Sequence, residues 1–303
     1  MITAAKLTVV LLLPIAVALL VFGARAVLPA LMGTLAVAVV PYCSVKQALP
    51  LIFGLALTGT LATAAYGNVV AVVALVVVAC LAAGVLGRIS AGVFGMAPIV
   101  ASVMSLQPPS MPPWEAGLIM LAAGLYVEIA VLLMKVHMAA DPVPLKVALR
   151  HAVVMAVACG ATAAVAVVYA WPHAYWLVMT LAIVLRPYMA DSLQRNRQRI
   201  VGTVLGAVIA LVLSPVPHQW QLLLAAVCMC LMLAYLIEKD YTLQVTFLTP
   251  MVIFLVSTGT MSDTLSIGEL RVLYTASACI VGGLLAMLLA RQQVDDEQKS
   301  SPA

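Results

Sequence analysis

Apolar runs of about 13 to 25 residues follow one another along the chain, parted by short polar breaks. Backbone polar groups inside a bilayer must be satisfied within the protein, so runs of this length predict membrane-crossing helices. The weak apolar–polar alternation of a membrane β-barrel is absent. The breaks place spans near residues 7–24, 26–41, 48–66, 69–87, 92–106, 116–134, 147–171, 175–187, 200–214, 219–237, 243–258 and 270–290. The predicted fold class is therefore an all-α polytopic membrane protein of about 12 transmembrane helices.

These spans fall into two matched halves. Pro41-Tyr42 closes the second span and Pro187-Tyr188 the eighth, each followed by a basic stretch, Lys46-Gln47 and Arg197-Gln198. Pro98 in the fifth span is matched by Pro250 in the eleventh, 152 positions on. Six spans per half give both halves the same orientation, hence two parallel six-helix repeats: 1–135, a short cytoplasmic connection at 136–146, 147–291, and a cytoplasmic tail at 292–303. Repeats of this kind hold a site near the bilayer midplane, and short or Pro-interrupted spans in corresponding positions point to it. Those are spans 2, 5, 8 and 11, with Pro98 and Pro250 as helix-break candidates; the plainer reading makes both prolines kinks packed by neighbours.

Composition agrees with the pattern. The chain is 65% hydrophobic and only 9% charged, whereas roughly a quarter of a soluble domain is charged. The net charge of +4 matters less than its placement. With the N-terminus in the cytoplasm, the inner side receives Lys6, Lys46, Arg88, Lys135, Lys146, Arg150, Arg186, Arg195, Arg197, Arg199, Lys239, Arg291 and Lys299, and the outer side Arg25 and Arg271. Thirteen of the 15 basic residues inside predicts cytoplasmic termini. Trp114, Trp171, Trp176 and Trp220 all fall at the outer interface, where amphipathic rings anchor. Lys6, the apolar stretch 7–23 and Ala24-Arg25-Ala26 also have the form of a signal peptide, but the pairing of halves needs this segment as a retained helix. The six cysteines lack metal-ligand spacing and read as small packing residues. His137, His151, His173 and His218 read as interfacial, and no pair has metal spacing. No cofactor motif and no enzyme motif appears.

One segment concentrates charge. Residues 186–199 hold four of the chain's nine arginines, and Gly202-x-x-x-Gly206, a close-packing spacing, follows at once. Arg195 and Arg199 are spaced i,i+4 and share a helix face. A helix N-terminus beside them would add partial positive charge, and arginine holds a carboxylate bidentately. Thr203, one turn further, offers a hydroxyl, and Asp191 reads as a counter-ion. The alternative reading is a topology anchor on lipid phosphate. Glu128 is the only acidic residue deep in a span, seven residues before Lys135, and so about 10 Å from that end. A carboxyl there tends to hold a proton, which makes Glu128 a proton-coupling candidate; otherwise it is a hydrogen-bonded structural acid.

The second half also carries Ala148-Leu-Arg150-His151-Ala, Tyr175-Trp176-x-x-x-Thr180, Arg186-Pro187, Ser192-x-x-Arg195-x-x-Gln198-Arg199-x-x-Gly202-Thr203-x-x-Gly206 and Phe247-Leu-Thr249. Over residues 148–255 this resembles the fusaric acid resistance and aromatic acid exporter family, also described as integral membrane bound transporter domains. The resemblance implies an inner-membrane protein linked to efflux of aromatic carboxylic acids; plant relatives are malate channels. It makes Arg186, Asp191, Arg195, Arg199, Thr203, Thr180 and Thr249 candidates for the substrate path. Many members carry a large cytoplasmic helical domain, and here the connection at 136–146 and the tail after Arg291 leave little room for one. Asp191 followed by Arg195, Arg197 and Arg199 also superficially resembles the loop after the second span of a major facilitator superfamily half, without that loop's glycines.

The expectation is a multi-pass protein of a bacterial inner membrane that exports small organic anions as a secondary transporter. A passive organic-anion channel, or an exporter of the major facilitator superfamily, is the alternative. The implied partners are the anion and the lipid bilayer, with no nucleic acid. Nothing in the sequence supports a homo-oligomer or a periplasmic adaptor.

Overall fold

The computed structural model describes residues 2–38, 40–87, 96–135, 142–257 and 260–300. Among the described residues the chain is helical and holds no strand. The α-helices are α1 (Ile2–Phe22), α2 (Val27–Thr34), α3 (Val45–Ala65), α4 (Val69–Leu86), α5 (Met96–Leu106), α6 (Pro113–Met134), α7 (Leu145–Val168), α8 (Tyr175–Val184), α9 (Met189–Leu213), α10 (His218–Ile237), α11 (Tyr241–Val256) and α12 (Met261–Ser300). Among the described residues seven segments are long and apolar enough to cross a membrane: Ala24–Tyr42, α3, α4, α6, α7, Asp191–Leu213 and Met261–Leu288. Among the described residues the four shortest α-helices are α2 with 8 residues, α8 with 10, α5 with 11 and α11 with 16.

Their boundaries have local causes. Ser44 and Gln47 form a capping box at the start of α3. Asn68 and Asp240 accept backbone N–H groups of Ala71 and Leu243 at the starts of α4 and α11. α2 gives way after Thr34 to two 3₁₀ segments, Leu35–Ala38 and Val40–Tyr42, the second containing Pro41.

The described chain divides into two compact units, residues 10–183 and residues 1–9 with 184–303. In the first, α6 lies against α2 and α3, α5 touches both α3 and α4, and α4 packs on α7. Glycines permit these approaches. Gly33 lies on the Met120 backbone, Gly84 on Ala152, and Gly160 on Val77. α3, α4 and α5 also line an apolar hollow of about 420 Å³ with Pro50, Gly54, Thr58, Val85 and Met96.

In the second unit α9 packs on α11 and α12, and α10 on α11. The Gly202-x-x-x-Gly206 spacing is the α9–α11 contact. A Cβ on Gly202 would sit 2.7 Å from the Thr242 carbonyl oxygen, and one on Gly206 2.5 Å from that of Thr246. Both numbers rise together along the two helices, so α9 and α11 run parallel. α12 runs antiparallel to α9, bringing Gly283 to Asn196.

Several sequence expectations change here. α9 begins at Met189 and α12 at Met261, each about ten residues earlier than their apolar runs suggest, because their first turns are polar. Arg271 is thus ten residues inside α12 and fully buried, not in an outer loop. Trp176 is 1% exposed and stacks on His173 at 4.9 Å, unlike the exposed Trp114, Trp171 and Trp220. His151 is buried in α7 rather than interfacial. α11 continues through Pro250, and Pro98 sits in the first turn of α5, so neither opens a gap in a described helix. Arg88 and His137 lie outside the described residues.

Candidate functional site

α9 is amphipathic in the inverted sense. Ser192, Asn196, Arg199, Thr203, Gly206 and Ala210, spaced 4-3-4-3-4, are buried, whereas Val201, Val204, Leu205, Val208 and Val212 are exposed. That spacing is one helix face. A polar face turned inward with an apolar face turned outward suits a helix that lines a polar interior within a membrane.

Arg199 is the centre of this stripe and is 1% exposed. Its Nη1 donates to the Tyr241 hydroxyl at 3.5 Å. Its Nε and Nη2 have no hydrogen-bond partner among the described residues. Arg195, one turn earlier, lays its guanidinium on the same ring, Cζ 3.7 Å from the centroid. Tyr241 is 7% exposed and is the first residue of α11. One aromatic side chain is therefore held by two arginines, its face by Arg195 and its oxygen by Arg199.

α12 supplies another wall. Gly283 faces Asn196, one turn before Arg199 on α9. Thr203 follows Arg199 by one turn on the same buried face of α9. Asn196 Oδ1, Thr203 Oγ1 and Thr275 Oγ1 are buried and have no hydrogen-bond partner among the described residues. The arrangement offers a buried cation with donors unsatisfied among the described residues, flanked on its own helix face by the Asn196 amide and the Thr203 hydroxyl. A desolvated guanidinium is stable beside an anion that takes its donors.

The other expected residues fare differently. Ser192 accepts the Arg186 backbone N–H at 2.9 Å, which ties the Arg186-Pro187 turn to α9. Asp191 is exposed and pairs with no arginine among the described residues, so it is not their counter-ion. The N-terminus of α9 lies ten residues before Arg199, too far for its dipole to act there. Thr249 is buried against Gly206, but its hydroxyl donates to the Val245 carbonyl at 3.0 Å. Thr180 is buried on α8, in the other unit, and its Oγ1 has no partner among the described residues. Because Asp191 to Arg199 are helical, the major facilitator loop reading has no loop to rest on.

Glu128 sits in α6 of that other unit. It is 4% exposed, and its Oε2 has no partner among the described residues. One turn earlier, Gly124 packs on Gly33 and Ala36, and α6 contacts both 3₁₀ segments. The acid thus belongs to the stretch where the second span unwinds. Just beyond it, burial pushes the Cys43 thiol up, with the Glu128 carboxylate adding to the effect.

Residues 157–285 match the fusaric acid resistance protein-like family. This stretch is fusaric acid resistance protein-like. It contains every residue around Tyr241, and proteins of the family are membrane transporters. No curated protein and no solved structure matches the chain. Within the fusaric acid resistance protein-like region, Tyr241 and Asn196 escaped the sequence reading. Tyr241 is 42 positions from Arg199, at the head of another span, and nothing local links them. Among the described residues no group of three or more His, Cys, Asp or Glu could hold a metal ion.

Proposed function

We propose that the chain is a secondary transporter of a bacterial inner membrane that exports small organic anions, aromatic carboxylates in particular. The observation that carries the reading is Arg199, a buried guanidinium with two nitrogens unsatisfied among the described residues. The family match supports transport as the activity. Twelve crossings in two parallel halves are supported by the order of the twelve α-helices among the described residues. Parallel α9 and α11, with α12 antiparallel, are what alternating crossings give. Glu128 supplies a titratable group in the first half, so export is driven by protons.

Vesicles loaded with benzoate test this. Wild-type efflux should rise with an imposed pH gradient. Arg199→Ala should abolish it with insertion intact, since other inner charges set topology, and Arg199→Lys should restore part, lacking the planar fork. Glu128→Gln should lose gradient-driven efflux and keep exchange. Full efflux by Arg199→Ala would make the cluster a lipid anchor. Wild-type flux indifferent to the gradient would make the protein a channel.

A further inference from the structure

We infer that Tyr241 is an internal occupant of the anion site and a template for its substrate. This inference rests on the transport reading above and deepens it. Two groups of an aromatic carboxylate could be recognised by an arginine pair: the ring face by one guanidinium, and an oxyanion by the other. Tyr241 makes both contacts already, ring to Arg195 at 3.7 Å and oxygen to Arg199 at 3.5 Å. The oxygen is a neutral hydroxyl at the long end of hydrogen-bonding distance, and it leaves Nε and Nη2 of Arg199 unsatisfied among the described residues. A carboxylate offers two charged acceptors to the same guanidinium and displaces it. Tyr241 is also well placed to move. It is the first residue of α11, with no preceding helical turn for its side chain to lean on.

The template defines a substrate class. In tyrosine the oxygen is bonded directly to the ring. The fitting ligand is therefore an arene with its carboxyl on the ring, benzoate-like, rather than an aryl group on a flexible chain. After the anion departs, Tyr241 returns to both arginines, so the site does not hold the product. Tyr241 is a positioning residue: it acts through Arg195 and Arg199.

Binding of benzoate, cyclohexanecarboxylate and 3-phenylpropanoate to the purified full chain tests the idea, alongside benzoate efflux kinetics. In the wild type benzoate should bind tighter than cyclohexanecarboxylate by a factor on the order of ten, and tighter than 3-phenylpropanoate. Tyr241→Phe frees Arg199 alone and should tighten all three about threefold. Tyr241→Ala also frees the face of Arg195, and should tighten benzoate further than cyclohexanecarboxylate. Its efflux should show a lower KM together with a lower maximal rate, because release is no longer assisted. A merely structural tyrosine would not split the two constants in that way.

Weaker benzoate binding by Tyr241→Phe would overturn the inference, because Tyr241 would then be holding Arg199 ready for substrate. Equal binding of benzoate and cyclohexanecarboxylate that still requires Arg199 would overturn it too, leaving the transport reading intact. Benzoate binding unchanged by Arg199→Ala would bring down the transport reading and this inference with it.

Discussion

Among the described residues Arg199 lies buried with no charged acceptor, only the Tyr241 hydroxyl, and an uncompensated buried ion costs several kcal/mol. A residue kept at such a cost serves binding better than stability. Replacing it by an apolar side chain of similar length should therefore stabilise the protein while disabling it. Arg199→Met is expected to raise the unfolding free energy by about 1–3 kcal/mol and to lose anion efflux; thermal melting of the detergent-purified protein and vesicle flux measure the two sides. A drop in stability would show that Arg199 is held by contacts it cannot spare. Cys43 reports on the second site. Its thiol is raised first by burial and then by the Glu128 carboxylate, so Glu128→Gln should lower it. Maleimide labelling of Cys43 at pH 8 should then be faster in the variant, with a thiolate fraction that grows as the thiol falls. Unchanged labelling would mean that Glu128 carries no charge there. At this scale the sequence was half legible. The i,i+4 spacing of Arg195 and Arg199 showed that they share a face. It could not show which residue of a distant helix meets that face.

α9 shows why a helix is harder to bound than to detect. Its apolar run begins near residue 200, yet the helix starts at Met189, and α12 starts at Met261 rather than near 270. Hydropathy locates greasy surface, and in both helices the early turns carry polar residues that belong to a buried face, Asn196 and Arg199 in one and Arg271 in the other. The glycine spacing was legible because its meaning is steric and local. Its partner was not, although Pro250 is part of it: the proline lacks an N–H for the Thr246 carbonyl, and Gly206 lies against that oxygen. Gly206→Leu should separate α9 from α11 and sharply reduce the monodisperse protein recovered in detergent, since a Cβ 2.5 Å from a backbone oxygen has no rotamer to escape into. Gly54→Ala is the control. Nothing lies within 4 Å of its Cβ, and alanine favours a helix by roughly 1 kcal/mol, so recovery should hold or improve. Equal losses in both would point to insertion rather than packing.

Over the whole chain the order of helices was the easiest property to read, because apolar runs and polar breaks map directly onto helices and turns. Orientation rests on charge placement alone, and the burial of Arg271 leaves Arg25 as the outer basic residue of that assignment. Reporter fusions at Ala303 and between residues 215 and 219 should show opposite sidedness; the same sidedness would end the twelve-crossing proposal. The short helices carry a consequence of their own. At 1.5 Å per residue, the 10 residues of α8 and the 16 of α11 reach about 15 and 24 Å, against a hydrocarbon core of about 30 Å. If α8 and α11 cross, as the twelve-crossing proposal requires, the lipid must thin or the chain ends must dip around them, and either response has an elastic cost that rises with acyl length. Flux in vesicles of 14-carbon lipids should therefore exceed flux in vesicles of 20-carbon lipids, which would make the thickness of the host membrane a control on how fast this protein works.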